Sequence, residues 1–146
     1  MRLFSKIGLA AACSVISAAP ALALGGGSGG FTNPMKNSDG SAAFIDGAWS
    51  FDTWAPGPAH PGFHYSGTLK DTKADGDWVY TRGKVDGYGW GGGSSAENHR
   101  GSGKTVVVAQ KVWGADPPSE AKMEVCRHRA GIYPNICVES AWKRPR

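Results

Sequence analysis

The longest apolar run of the chain, Ile7 to Ala19, falls short of the ~20 residues that a membrane-crossing helix requires. No later segment approaches it. Helical periodicity is missing as well: no window sustains a helical period, which argues against helix bundles and against sheets wrapped in helices. A surplus of one charge is also lacking. The full chain carries 16 basic and 12 acidic residues, a formal net charge of +4, and the two signs are interspersed. That does not make the one-sided basic face that phosphate binding uses, so neither nucleic acid nor an anionic membrane surface is expected as a partner. The only cationic cluster, Lys143, Arg144 and Arg146, reads as a solvated end. Cysteine is scarce, with three in the whole chain, which excludes a disulfide-dense miniature scaffold.

What is present begins with a leader. Arg2 and Lys6 precede Ile7 to Ala19, Pro20 follows, and Ala21-Leu22-Ala23 has the small-x-small form of a signal-peptidase site, so residues 1–23 read as a secretory signal peptide. Export to the extracellular space is the expectation. Cleavage after Ala23 would remove two cations, leaving 14 against 12 and a charge of +2. It would also remove Cys13, leaving Cys126 and Cys137 as an even pair in an oxidising compartment, where one disulfide is expected. Closing so short a loop stabilises by roughly 2.8 kcal/mol in the chain-entropy model. Pairing would also withdraw both thiols from nucleophilic or metal-binding roles.

Residues 24–41, LGGGSGGFTNPMKNSDGS, are Gly-, Ser- and Asn-rich and read as a flexible arm. Phe31 and Met35 interrupt it around Pro34, either as incidental hydrophobes of a linker or, since exposed apolar side chains are costly unless covered, as a short binding motif on a tether. Residues 42–146 are enough for one domain with one core. Phe44, Ile45, Trp49, Phe51 and Trp54 mark a first strand or strand pair, with Ile45, Trp49, Phe51 and Thr53 on one parity and a possible bulge at Gly47. Pro56, Pro58 and Pro61 make the next segment a crossing loop. Phe63, Tyr65, Gly67 and Leu69 alternate with His64, Ser66, Thr68 and Lys70, the period of a half-buried strand. Asp71 to Asp77 is polar, and Trp78, Val79 and Tyr80 restart strand composition, so a hairpin is expected here, with Val85 to Trp90 read as continuing its second strand past a break at Asp86-Gly87.

Gly91 to Gly103 reads as a second flexible loop. Lys104 to Trp113 after it is β-favouring on both parities and is expected to be central. Met123 and Val125 share one parity of a later strand, with Cys126 on the other, and Ile136, Val138 and Trp142 form the last. About six or seven short strands with no repeat indicate an all-β fold, an antiparallel β-sandwich or open barrel.

Chemistry-bearing motifs are few. Gly101-Ser102-Gly103-Lys104-Thr105 precedes a strand where a phosphate loop needs a helix. Asp71 to Asp77 has calcium-loop spacing, yet Lys73 stands where an oxygen ligand belongs and no bidentate Glu follows. His60 and His64 flank Pro61 and so share no helical face, and no further ligand sits at zinc spacing. No Gly-x-Ser-x-Gly elbow is present, and Asp46, Asp52 and Glu139 read as strand-surface charges. No enzyme, metal or cofactor is expected. Of six tryptophans, Trp49, Trp78, Trp113 and Trp142 are assigned to the core. Trp54 and Trp90 end strands beside loops, where an indole packs at the core rim or, as the sharper reading, stacks on a sugar or anchors a protein.

The leader, the Gly-rich arm, the stretch Tyr65-Ser66-Gly67-Thr68-Leu69-Lys70-Asp71-Thr72-Lys73-Ala74-Asp75-Gly76-Asp77, and Met123-Glu124-Val125-Cys126 with Cys137 together resemble small exported β-sandwich proteins of filamentous soil actinobacteria. Among these the layout is similar to the adaptor subunit of umbrella toxin particles, which joins a lectin-like subunit to a large toxin subunit. The resemblance implies a non-enzymatic protein-binding adaptor used in interbacterial antagonism, with Phe31, Pro34 and Met35 inserting into the lectin-like partner. The competing expectation is a stand-alone sugar-binding or enzyme-inhibiting sandwich.

Overall fold

The structure, a computed structural model, describes residues 26–52, 60–91 and 96–145. Among the described residues there is no helix. In chain order the strands are β1 (Ser28–Gly30), β2 (Met35–Lys36), β3 (Ala42–Phe51), β4 (Gly62–Asp71), β5 (Val79–Val85), β6 (Ala96–Asn98), β7 (Thr105–Trp113), β8 (Ala121–Arg127) and β9 (Ile136–Glu139). They form two antiparallel sheets that are not closed into a barrel. One has the order β1-β3-β4-β7, with β2 also on β3, and the other the order β6-β5-β8-β9.

The alternation read in β4 holds: Phe63, Tyr65 and Leu69 are buried while His64, Ser66 and Lys70 face outward. In β3 the register shifts between Ile45 and Ala48, and Asp46 takes a positive φ of 52°. This bulge switches the inward parity, so Phe44, not Ile45, enters the core together with Phe51. The rings of Phe31, Phe44, Tyr65, Phe63, Phe51 and Trp49 form one unbroken series, with neighbouring centroids 5.2–6.5 Å apart. Val79, Val85, Met123 and Val125 meet them from the second sheet. Gly83 is required for this fit, because a Cβ there would lie 2.3 Å from Val112 Cγ2.

Several expectations are corrected. The Asp71 to Trp78 segment does not close a hairpin: β4 and β5 lie in different sheets, so it crosses from one layer to the other. β5 ends at Val85 in a turn at Asp86-Gly87, where Gly87 has φ 78°. The expected loop Gly91 to Gly103 contains β6, which pairs with β5. β7 is not central but the edge strand of its sheet. No described tryptophan belongs to the buried core, and Trp113 and Trp142 are 50% and 39% exposed. Trp113 and Trp78 occupy outward parities, where Trp78 is covered by stacking on His99 and His128 rather than by core packing.

The segment read as a flexible arm is part of the sandwich from Gly26 onward. β1 and β2 both pair with β3, the Phe31 amide donates to Gly47 O at 2.9 Å, and Phe31 and Met35 are buried. β-pairing to an exposed edge of β3 satisfies the backbone of a Gly-rich segment that has few side chains of its own to bury. The signal-peptide assignment lies outside the described residues.

Cys126 and Cys137 form the expected disulfide, linking β8 to β9 at a directly opposed register pair. Its reduction is expected to lower stability by about 2 to 3 kcal/mol. Denaturation with and without reductant measures this, and mass spectrometry of the oxidised protein should show two hydrogens fewer than the dithiol.

Candidate functional site

The disulfide staples the base of the loop 128–135, and three hydrogen bonds brace it from within. The His128 amide donates to Trp78 O at 2.8 Å. The Arg129 amide donates to Asn135 Oδ1 at 3.1 Å, while Asn135 Nδ2 donates to the Tyr80 hydroxyl at 2.8 Å. Gly131 turns the tip at φ 82°, a left-handed conformation that a side chain would strain. Beyond it Ile132 is 98% exposed and Tyr133 is 60% exposed, with the Arg129 guanidinium 4.6 Å from the Tyr133 ring centroid. A stapled loop thus carries a branched aliphatic, an aromatic and a cation at its tip.

Below that loop the outer face of the second sheet carries a continuous series of rings and cations. Trp78 stacks between His99 and His128, both at 4.5 Å, and Tyr80 lies 5.3 Å away. Arg82 sits over Tyr80 and Trp90, and Lys122 over Trp90 and Trp142. Arg82 is paired with Glu124, and Lys122 with Glu139. Trp90 is therefore half-buried among three cations, Lys84 being the third, and works as a rung of this ladder rather than as a free anchor.

The outer face of the first sheet has a trough of about 550 Å3. Its floor is the cross-strand row Ala48, Ser66 and Ala109. On one side Asp52 Oδ2 accepts from His64 Nε2 at 2.6 Å and from Lys111 Nζ at 2.8 Å. Partial burial would raise the Asp52 carboxyl, but these two donors outweigh it and hold it below the usual carboxylate range. Among the described residues no hydrogen bond joins His64 to Ser50 or Ser66, and its partner is Asp52.

At the far end Arg127 gathers the acids of the layer-crossing turn. Its guanidinium lies 2.9 Å from Asp39 and 2.8 Å from each of Asp75 and Asp77, and Lys73 lies 3.0 Å from Asp39. The calcium-like spacing of Asp71 to Asp77 is thereby occupied by a side-chain cation. Glu124, Cys126 and Cys137 come together with ligand atoms within 4.8 Å, but both sulfurs belong to the disulfide.

The residues expected to bind a partner do not converge. Phe31 and Met35 are inside the core, Pro34 is exposed beside them, Trp90 is in the ladder on the other sheet, and Trp54 lies outside the described residues. Ile132 and Tyr133 were passed over as loop residues. The signal was two bulky apolar residues between Gly131 and Pro134, inside the segment that the cysteine pair encloses.

These features define a two-sheet antiparallel β-sandwich presenting a stapled apolar loop. Comparison of the chain with known protein families, curated proteins and solved structures gave no match.

Proposed function

We propose that this protein is an exported, non-enzymatic protein-binding module that docks through Ile132 and Tyr133. Following the resemblance noted above, its role is that of an adaptor between a lectin-like subunit and a large toxin subunit of a secreted antagonistic assembly. The observation that carries the reading is the near-complete exposure of Ile132 on a loop fixed by Cys126–Cys137 and Asn135. An isolated exposed apolar residue is ordinary, but one held on a preorganised tip beside Tyr133 and Arg129 has the composition of an interface hot spot. Little conformational entropy remains to be lost on docking. The burial of Phe31 and Met35 counts against a contact made by an N-terminal arm.

Burying one such side chain contributes about 1.5 to 3 kcal/mol, so Ile132→Asp should weaken partner binding at least ten- to hundredfold. Thermal stability should stay within about 2 °C of wild type, because the side chain contributes nothing to the core. The measurement is co-elution of the protein with larger secreted subunits of its own culture, followed by titration of the identified subunit with wild type and Ile132→Asp. Equal affinity of the two would refute the loop as the contact. Elution as a lone monomer of mature mass would favour the stand-alone reading.

A further inference from the structure

We propose that β7 pairs edge to edge with β7 of a second copy, antiparallel, about a two-fold axis at Val107. The other sheet edges are short, with three residues in β1, two in β2, three in β6 and four in β9, whereas β7 runs for nine. Short edges, prolines, bulges and charges are the usual protections against strand recruitment. β7 has none of the first three: it contains no proline and pairs with β4 without a register shift from Trp113 to Thr105. Its one charged residue, Lys111, is engaged by Asp52 at 2.8 Å.

The direction of the free backbone groups follows from the neighbouring bond. Lys104 O accepts from the Asp71 amide and so turns toward β4. Alternate residues of an antiparallel strand turn their N–H and C=O to opposite sides, which directs those of Thr105, Val107, Ala109 and Lys111 to the free edge. Among the described residues the only hydrogen bond reaching these groups is a long one of 3.4 Å, from Arg100 Nη1 to Thr105 O. Val107, whose side chain is 86% exposed, sits at the middle of this run.

Centred on Val107, the edge is complementary to itself. Val107 meets its own copy as a hydrogen-bonded pair, Thr105 opposes Ala109, Lys111 opposes Gly103, and Lys104 opposes Gln110, so no lysine faces a lysine. The cross-strand row Ile45, Thr68 and Val107 continues into the same row of the second copy, covering the most exposed valine among the described residues. This C2 arrangement closes on itself and does not propagate as a fibre. One strand seam buries less than the ~1,200 Å2 of a standard interface, so association is expected at tens to hundreds of micromolar.

Sedimentation equilibrium from about 5 to about 500 μM should show the average mass of wild type rising toward the dimer, with slowed exchange of the Val107 and Ala109 amides. Val107→Lys places a charge against its own copy and should weaken the dimer at least tenfold while leaving folding unchanged. Ile132→Asp should dimerise as wild type does, which separates this surface from the docking loop. The proposal is overturned by a wild type that stays monomeric throughout, by a Val107→Lys variant that dimerises equally well, or by a dimer whose β7 amides exchange freely. A strand of a different protein found on β7 in place of the second copy overturns it as well.

Discussion

Phe31→Ala is expected to lower the stability of the protein by about 3 to 4 kcal/mol, toward the lower end of the range for truncating a buried phenyl ring. The ring is 8% exposed and meets Phe44 edge-on at 6.1 Å. On the other side it approaches the backbone at Gly47, where a Cβ would lie 3.0 Å from Phe31 Cδ2, and Lys143 Nζ stands 5.5 Å from the ring centroid. Loss of the ring leaves a cavity at the end of the aromatic series and detaches β1 and β2 from their apolar support. Chemical denaturation of wild type and variant measures the difference. A loss under about 1 kcal/mol would mean that the segment does not belong to the core, and would restore the reading of Phe31 as a free binding residue.

Arg127→Ala is expected to cost about 3 kcal/mol near neutral pH, because it leaves Asp39, Asp75 and Asp77 close together with only Lys73 to compensate. The pH dependence separates this cause from lost packing. In wild type, burial would raise the Asp39 carboxyl, but hydrogen bonds from Ser41, Lys73 and Arg127 outweigh it and hold the group well below the usual carboxylate range. A depressed folded pKa means that its contribution is present above the unfolded value near 3.9 and is lost as pH falls through the folded one. Wild type should therefore weaken only below about pH 4. In the variant Asp39 loses one of the donors that depress it, so less stability should be lost on acidification and the curves of the two proteins should converge below about pH 4. Melting temperatures down through that range decide the matter: parallel curves for the two proteins would show that the loss is one of packing.

How much could be read from residues alone depended on whether the determining interaction was local. The alternation of β4 is a property of one strand, and its faces were legible. So was the pairing of Cys126 with Cys137, since the third cysteine, Cys13, falls in the stretch read as a leader. Asp71 to Asp77 has the composition of a hairpin turn and equally of a crossing between layers. Only the partners of Trp78 to Val85, namely β6 and β8, distinguish the two. β7 has the valine content of a buried strand, yet the parity of Val107 faces outward at an edge, a consequence of strand order that composition does not carry. The N-terminal segment misled for the opposite reason: its glycines predict freedom, while the structure uses them as backbone for β1 and gives Phe31 and Met35 to the core. The loop 128–135 was half legible, its closure visible in the cysteines and its bracing supplied by Asn135 reaching Tyr80 across 55 positions.

The Lys143 bridge to Ala121 continues the β9 side of the second sheet, while β1 borders the first. Lys143 also lies over the rings of Phe31 and Trp49. Both ends of the described chain therefore emerge from one flank of the sandwich, and β7, packed across from β5 and β6, occupies the other. A domain fused at either end, or a matrix to which either end is coupled, would project from the first flank and leave the second unobstructed. The described part of the chain is thus polarised, with both of its ends on one flank and its longest edge strand on the other.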